Sequence, residues 1–190
     1  MLKKTIIFMS ILSALLFQAC SKSEDTTEET TNEVNNLVSS NEYVLTAIDN
    51  KQYVVKKDGS GFVLEGAEGK VVIFDIFATW CPPCRATATH LSSLQKKYKE
   101  KLVIIGLTIE DNIQNQKLLD FREKYDANYV LVNSSENRRL SDAIVKELKL
   151  GERYPIPTMA LYKDAKLINH FVGATEEEFI DSDIKRALGI

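Results

Sequence analysis

Two cysteines two residues apart, in Trp80-Cys81-Pro82-Pro83-Cys84-Arg85, are the side chains of this 190-residue chain best placed for chemistry. The run before them, Val71-Val72-Ile73-Phe74-Asp75-Ile76-Phe77, reads as a buried strand, and the run after them reads as a helix. Cys81 therefore falls at a strand-to-helix junction, where the first helical turn offers unpaired N–H groups and a partial positive charge. Such a position stabilises a thiolate, the form of cysteine that attacks disulfides. Cys84 stands one helical turn on, within reach to close a disulfide with Cys81 or to resolve a mixed one. The chemistry implied is two-electron thiol–disulfide exchange.

Other uses of such a pair stay open at this stage. A zinc site needs a second pair of soft or imidazole ligands. The only other cysteine is Cys20, and His90 and His170 stand far apart without ligand spacing. An inert structural disulfide more often closes a longer loop, because a short one constrains the unfolded chain less. A copper carrier would hold Cu(I) on Cys81 and Cys84, with His170 as third ligand; soft thiolates suit that ion. Two intervening residues at a helix start fit redox exchange better than copper carriage.

The elements that must position the pair alternate along the chain. Residues 43–48 and 52–56 are β-rich runs about Asp49-Asn50-Lys51 and predict a hairpin, followed by a turn at 58–61 and a short strand at 62–64. After the strand at 71–77, a helix is expected from Pro82 or Pro83 to Lys99, since proline is tolerated in the first turn. A second buried strand follows at 102–108, a helix at 113–124, a strand at 129–132 and a helix at 137–148. Two strands, 158–162 and 167–172, flank a turn at 163–166. A last helix runs over 176–188, with Thr175 as its N-cap and acids in its first turn. The class is α/β, a mixed central sheet flanked by helices with an N-terminal β-hairpin.

The front of the chain reads as an address. Lys3 and Lys4 precede an apolar run, Thr5 to Phe17, too short to span a bilayer comfortably. It ends at Leu16-Phe17-Gln18-Ala19-Cys20 and resembles a bacterial lipoprotein signal, in which a small residue precedes a cysteine that is acylated. The reading is a signal peptide at 1–19, a lipid-anchored polar tether at 20–41 and a folded domain at 42–190, with an ordinary secreted protein and an uncleaved anchor as the alternatives. With Cys20 lipidated, Cys81 and Cys84 remain as a pair in a compartment where disulfides persist. The formal charge is −3, and without the first nineteen residues it is near −5, because they hold Lys3 and Lys4 and no acid. A mildly acidic body argues against a nucleic-acid partner.

Over residues 60–188 the chain resembles the thioredoxin superfamily, and within it the exported, membrane-tethered thiol:disulfide oxidoreductases of the TlpA/ResA type. The resemblance rests on Phe77-Ala78-Thr79-Trp80-Cys81-Pro82-Pro83-Cys84-Arg85, on Ile156-Pro157-Thr158 before an apolar run, and on Phe171-Val172-Gly173-Ala174. It implies a thioredoxin-like fold, with 109–148 as the subgroup's central αβ insertion. It also implies a cis Pro157 facing the cysteines, with Ile156 and Pro157 offering backbone to an extended substrate. Asp75 is an acid inside an apolar strand, where burying it ionised is costly and its pKa is expected to rise; the resemblance implies that it accepts a proton from Cys84. Trp80 would form an apolar shelf beside Cys81. The chain departs from the family after the motif, where Arg85-Ala86-Thr87-Ala88-Thr89-His90 holds neither the acid nor the proline common there.

The implied activity is a dithiol reductase for disulfides of exported proteins, the haem-attachment cysteines of apocytochrome c among them. Its electrons would come from an upstream membrane or soluble thiol–disulfide donor; no cofactor is expected. Pro82-Pro83 puts no histidine beside the thiolate, and a His⁺ there would make the disulfide strongly oxidising. A disulfide-forming oxidase is the alternative within catalysis. A thiol peroxidase of this fold would carry Thr where this chain has Ala78.

Overall fold

The computed structural model describes residues 41–133 and 135–190. The expected signal peptide, the expected lipidation site Cys20 and the expected tether up to residue 40 lie outside the described residues. The expected hairpin is present as β1 (Glu42–Thr46) and β2 (Gln52–Asp58), and β3 (Gly61–Leu64) extends it into a three-stranded antiparallel sheet. A five-stranded sheet follows, formed by β4 (Val71–Phe77), β5 (Leu102–Thr108), β6 (Val130–Val132), β7 (Thr158–Lys163) and β8 (Lys166–Val172) in the order β6-β5-β4-β7-β8. β4 pairs parallel with β5 and antiparallel with β7, so the sheet is mixed, as the late strand pair implied.

Parallel neighbours need crossovers, and helices supply them. α1 (Pro82–Tyr98) joins β4 to β5, α2 (Asn115–Tyr125) joins β5 to β6, α3 (Glu136–Glu147) lies between β6 and β7, and α4 (Glu177–Leu188) closes the chain. α1 buries Cys84, Ala88, Leu91, Leu94 and Tyr98, an i, i+4, i+7 stripe that holds it against the sheet. Asp181 of α4 ties that helix to α1 through Lys97 Nζ at 2.6 Å and Tyr98 Oη at 2.7 Å.

Side-chain alternation along β4 feeds two cores. Ile73 and Phe77 pack with α1, α2 and α4, whereas Val72, Phe74 and Ile76 pack with the three-stranded sheet and α3. The small sheet is also joined to the edge strand β6. Ile48 donates its N–H to Leu131 O, and Asn133 donates to Thr46 O.

The structure corrects the sequence reading at several ends. α2 begins at Asn115, leaving Ile113 buried in the preceding loop, and Tyr129 lies just ahead of β6. The N-cap of α4 is Glu176, not Thr175. Thr175 Oγ1 instead donates to Gly173 O at 3.3 Å, which keeps it in the turn that leaves β8.

Candidate active site

The chain leaves β4 buried, runs through Ala78 and Thr79, and delivers Cys81 to the N-cap of α1. Prolines occupy the first helical positions, where no intrahelical acceptor awaits an N–H. Cys81 is extended, and its Sγ accepts the Cys84 N–H at 3.2 Å. The sulfur itself is thus the capping group, and a negative charge on it faces the positive end of the helix. Cys81 and Cys84 form a disulfide with Cα atoms 5.3 Å apart, and both residues are almost fully buried.

The Ile156–Pro157 peptide is cis, and Pro155, the nearby proline, is not. Ile156 O lies 3.6 Å from Cys81 Sγ, so the loop before β7 meets the sulfur 75 residues away in the chain. Pro157 O accepts the Gly173 N–H at 2.8 Å, and Gly173 stands at φ +81°, a conformation that favours glycine. Ile156-Pro157 thus lies against the cysteine pair, and the glycine after β8 is bonded in turn to Pro157.

Trp80 is 57 % exposed, so its ring is at the surface, next in the chain to Cys81. Asp75, by contrast, points inward and is 2 % exposed, so it neither faces out nor caps a turn. Burial raises its pKa to about 7, opposed by a hydrogen bond from Tyr129 Oη to Oδ2 at 3.3 Å. Asp75 Oδ1 accepts no hydrogen bond among the described residues. A buried carboxyl with a pKa near neutrality can take a proton or give one.

Tyr129 reaches Asp75 because Gly106, the β5 partner of Asp75, has no side chain. A Cβ at Gly106 would stand 2.9 Å from Leu131 Cδ2 and 3.1 Å from Tyr129 Cε2. Sequence reasoning passed over both residues; a glycine inside an apolar strand was the available signal for a close approach.

Glu110 was also missed. Its carboxylate takes the Thr79 N–H at 2.6 Å, the Thr79 hydroxyl at 3.1 Å and Lys117 Nζ at 2.6 Å. Burial opposes its ionisation, but these hydrogen bonds outweigh burial and hold its pKa below the usual glutamate value. Arg85 Nε donates to Thr79 O at 2.9 Å. Both backbone polar groups of Thr79, two residues before Cys81, are therefore clamped by side chains.

His90 Nδ1 lies 3.3 Å from Thr175 O on the flank of α1, and His170 sits half-buried on β8. Among the described residues no three His, Cys, Asp or Glu side chains converge as metal ligands, so His170 does not join Cys81 and Cys84 as a third copper ligand. No described helix is long and apolar enough to cross a membrane.

Known proteins agree with this geometry. The family described as Redoxin matches residues 25–188. A thioredoxin-like protein, YneN, of Bacillus subtilis is 31 % identical over 70 residues, 36 % of this chain and 41 % of that one, so the chain spans well under half of that relative. The thiol-disulfide oxidoreductase ResA of Bacillus cereus is 28 % identical over 138 residues, covering 70 % of this chain and 72 % of its own. A solved thiol:disulfide interchange protein of Chlorobium tepidum, from the thioredoxin family, superposes with a TM-score of 0.63 at 22 % identity, over 78 % of this chain and 94 % of its own, which supports the thioredoxin-like fold.

Proposed function

This chain belongs to the Redoxin family, within the thioredoxin superfamily, and from that premise we propose that it is a dithiol reductase acting on disulfides of exported proteins. The observation that carries the reading is Cys81 at the N-cap of α1, accepting the Cys84 N–H and facing Ile156 O. In the reduced protein the Cys81 thiolate attacks one sulfur of the substrate disulfide and expels the other as a thiolate. The Cys84 thiolate then attacks Cys81 Sγ, releases the substrate as a dithiol and leaves the Cys81–Cys84 disulfide. Two electrons pass to the substrate, and an upstream thiol–disulfide donor must restore them.

In this reading Cys81 is the nucleophile and Cys84 the resolving thiol. Asp75 takes the Cys84 proton as that thiol becomes the attacker, a role supported by its burial and its pKa of about 7. Trp80, Ile156 and Pro157 bound the surface on which an extended substrate lies. Apocytochrome c, with its paired haem-attachment cysteines, is one such substrate. Residues 1–19 are the export signal, Cys20 carries the lipid, and 20–41 tether the domain at 42–190 to a membrane facing the periplasm.

The deciding experiment is a titration of the Cys81–Cys84 pair in a defined thiol/disulfide buffer. A reductase is expected near the thioredoxin end, about −270 mV. A value near about −120 mV would make the protein a disulfide-forming oxidase instead. Anchoring is tested separately: Cys20→Ala should release the protein from membranes, and continued association would mean an uncleaved anchor.

A further inference from the structure

A cleft of about 180 Å³ opens beside Trp80, between the start of α1 and one face of α2. Phe121 and Tyr125 form its apolar wall, and Arg85, Lys117 and Lys124 bring three cations to it. The α2 residues share a face because they follow i, i+4, i+7, i+8 spacing from Lys117.

The cations differ in what they already hold. Lys117 is committed to Glu110 at 2.6 Å. Arg85 and Lys124 both lie over the Tyr125 ring, at 5.2 and 5.5 Å from its centroid. Among the described residues, neither forms an ion pair with a carboxylate. Asp120, the acid that also lines the cleft, accepts from Gln116 Nε2 at 2.8 Å instead. Two like charges are thus gathered on one ring with no anion between them, and the ring lowers the cost only in part. A carboxylate entering there satisfies both, and its neighbour in the same peptide would lie at Trp80, next to the nucleophile.

We infer that this cleft binds an Asp or Glu side chain flanking the substrate's disulfide, and so sets which disulfides are reduced fastest. The inference rests on the reductase reading and adds a substrate class to it. It also runs against the field of the whole chain. At −3 overall, the protein would by charge alone favour basic substrates.

The test uses the pre-reduced full-length protein in single turnovers, so that no electron donor is needed. Three synthetic peptides, each with one internal disulfide, differ only in carrying Glu, Gln or Lys beside the cysteines. The expected order of rate constants is Glu, then Gln, then Lys, with about fivefold between the extremes at low salt, the size of exposed ion pairs. The spread should narrow as salt is raised. Lys124→Glu should level or reverse the order, while Lys146→Glu, the same charge change on α3, should leave it intact. Equal rates for the Glu and Lys peptides overturn the inference, as does an equal response to both variants. Reduction of none of the peptides would instead bring down the reductase reading, and the cleft's role with it.

Discussion

On one face of the five-stranded sheet β4 presents Ile73, Asp75 and Phe77; on the other it presents Val72, Phe74 and Ile76. The first face meets α1, α2 and α4 and holds the exchanging pair Cys81 and Cys84, with Asp75 and its hydrogen-bond partner Tyr129. The second is closed by the three-stranded sheet and α3 around the rings of Tyr43, Phe62, Phe74 and Tyr162, whose neighbouring centroids lie 5.7 to 6.5 Å apart. A single strand thus serves reactivity on one side and cohesion on the other. Adjacent residues on it, Phe74 and Asp75, should respond to substitution in opposite ways.

The largest effect belongs to the reactive face. Cys81→Ser should abolish disulfide reduction, while Cys84→Ser should accumulate mixed disulfides on Cys81, visible by mass spectrometry. Full activity in Cys81→Ser would remove the exchange mechanism altogether. On the cohesive face, Phe74→Ala should cost about 3–5 kcal/mol in denaturant unfolding, the usual range for a fully buried ring. The reduction potential of the cysteine pair should stay unchanged wherever the variant is folded. A shifted potential would mean the two faces are not independent.

Asp75→Asn should do the reverse, slowing release of the mixed disulfide while stabilising the fold at pH 8. The sign follows from linkage. The Asp75 pKa is raised in the folded protein from 3.8 to about 7, so the unfolded chain loses this proton first as pH rises. Stability is full below about pH 3.8 and falls until about pH 7. Removing the charge should recover up to about 4 kcal/mol at pH 8 and little at pH 4, measured by urea unfolding of the oxidised form. No gain at pH 8 would mean that Asp75 is solvated in solution.

The smallest effect tests the contact across Gly106. Tyr129 Oη favours the Asp75 carboxylate, so Tyr129→Phe should move the pH profile of mixed-disulfide resolution alkaline by about half a unit, as expected of a long hydrogen bond to an anion. Stopped-flow rates over pH 6–9 measure it, and an unmoved profile would reduce Tyr129 to packing.

Most of the architecture was legible in the sequence, because each strand and helix is written in short-range periodicity. The apolar run of β4, the stripe on α1 and the turn between β7 and β8 are local patterns that the backbone must obey. Element ends were less legible. Thr175 has the right chemistry for an N-cap, but the turn at Gly173 claims its hydroxyl.

The sequence by itself determined the reactive pair. Helix geometry alone places Cys84 one turn from Cys81, and a proline-led helix start fixes which sulfur meets the unpaired N–H groups. Only the tertiary structure decided what surrounds that pair. Asp75 meets Tyr129 across 54 residues, Thr79 meets Glu110 across 31, and Cys81 meets Ile156 across 75. No local periodicity encodes such meetings. They follow from the order in which strands pair and from which face each side chain takes once the sheet is assembled, and that order is settled by the burial of the whole chain.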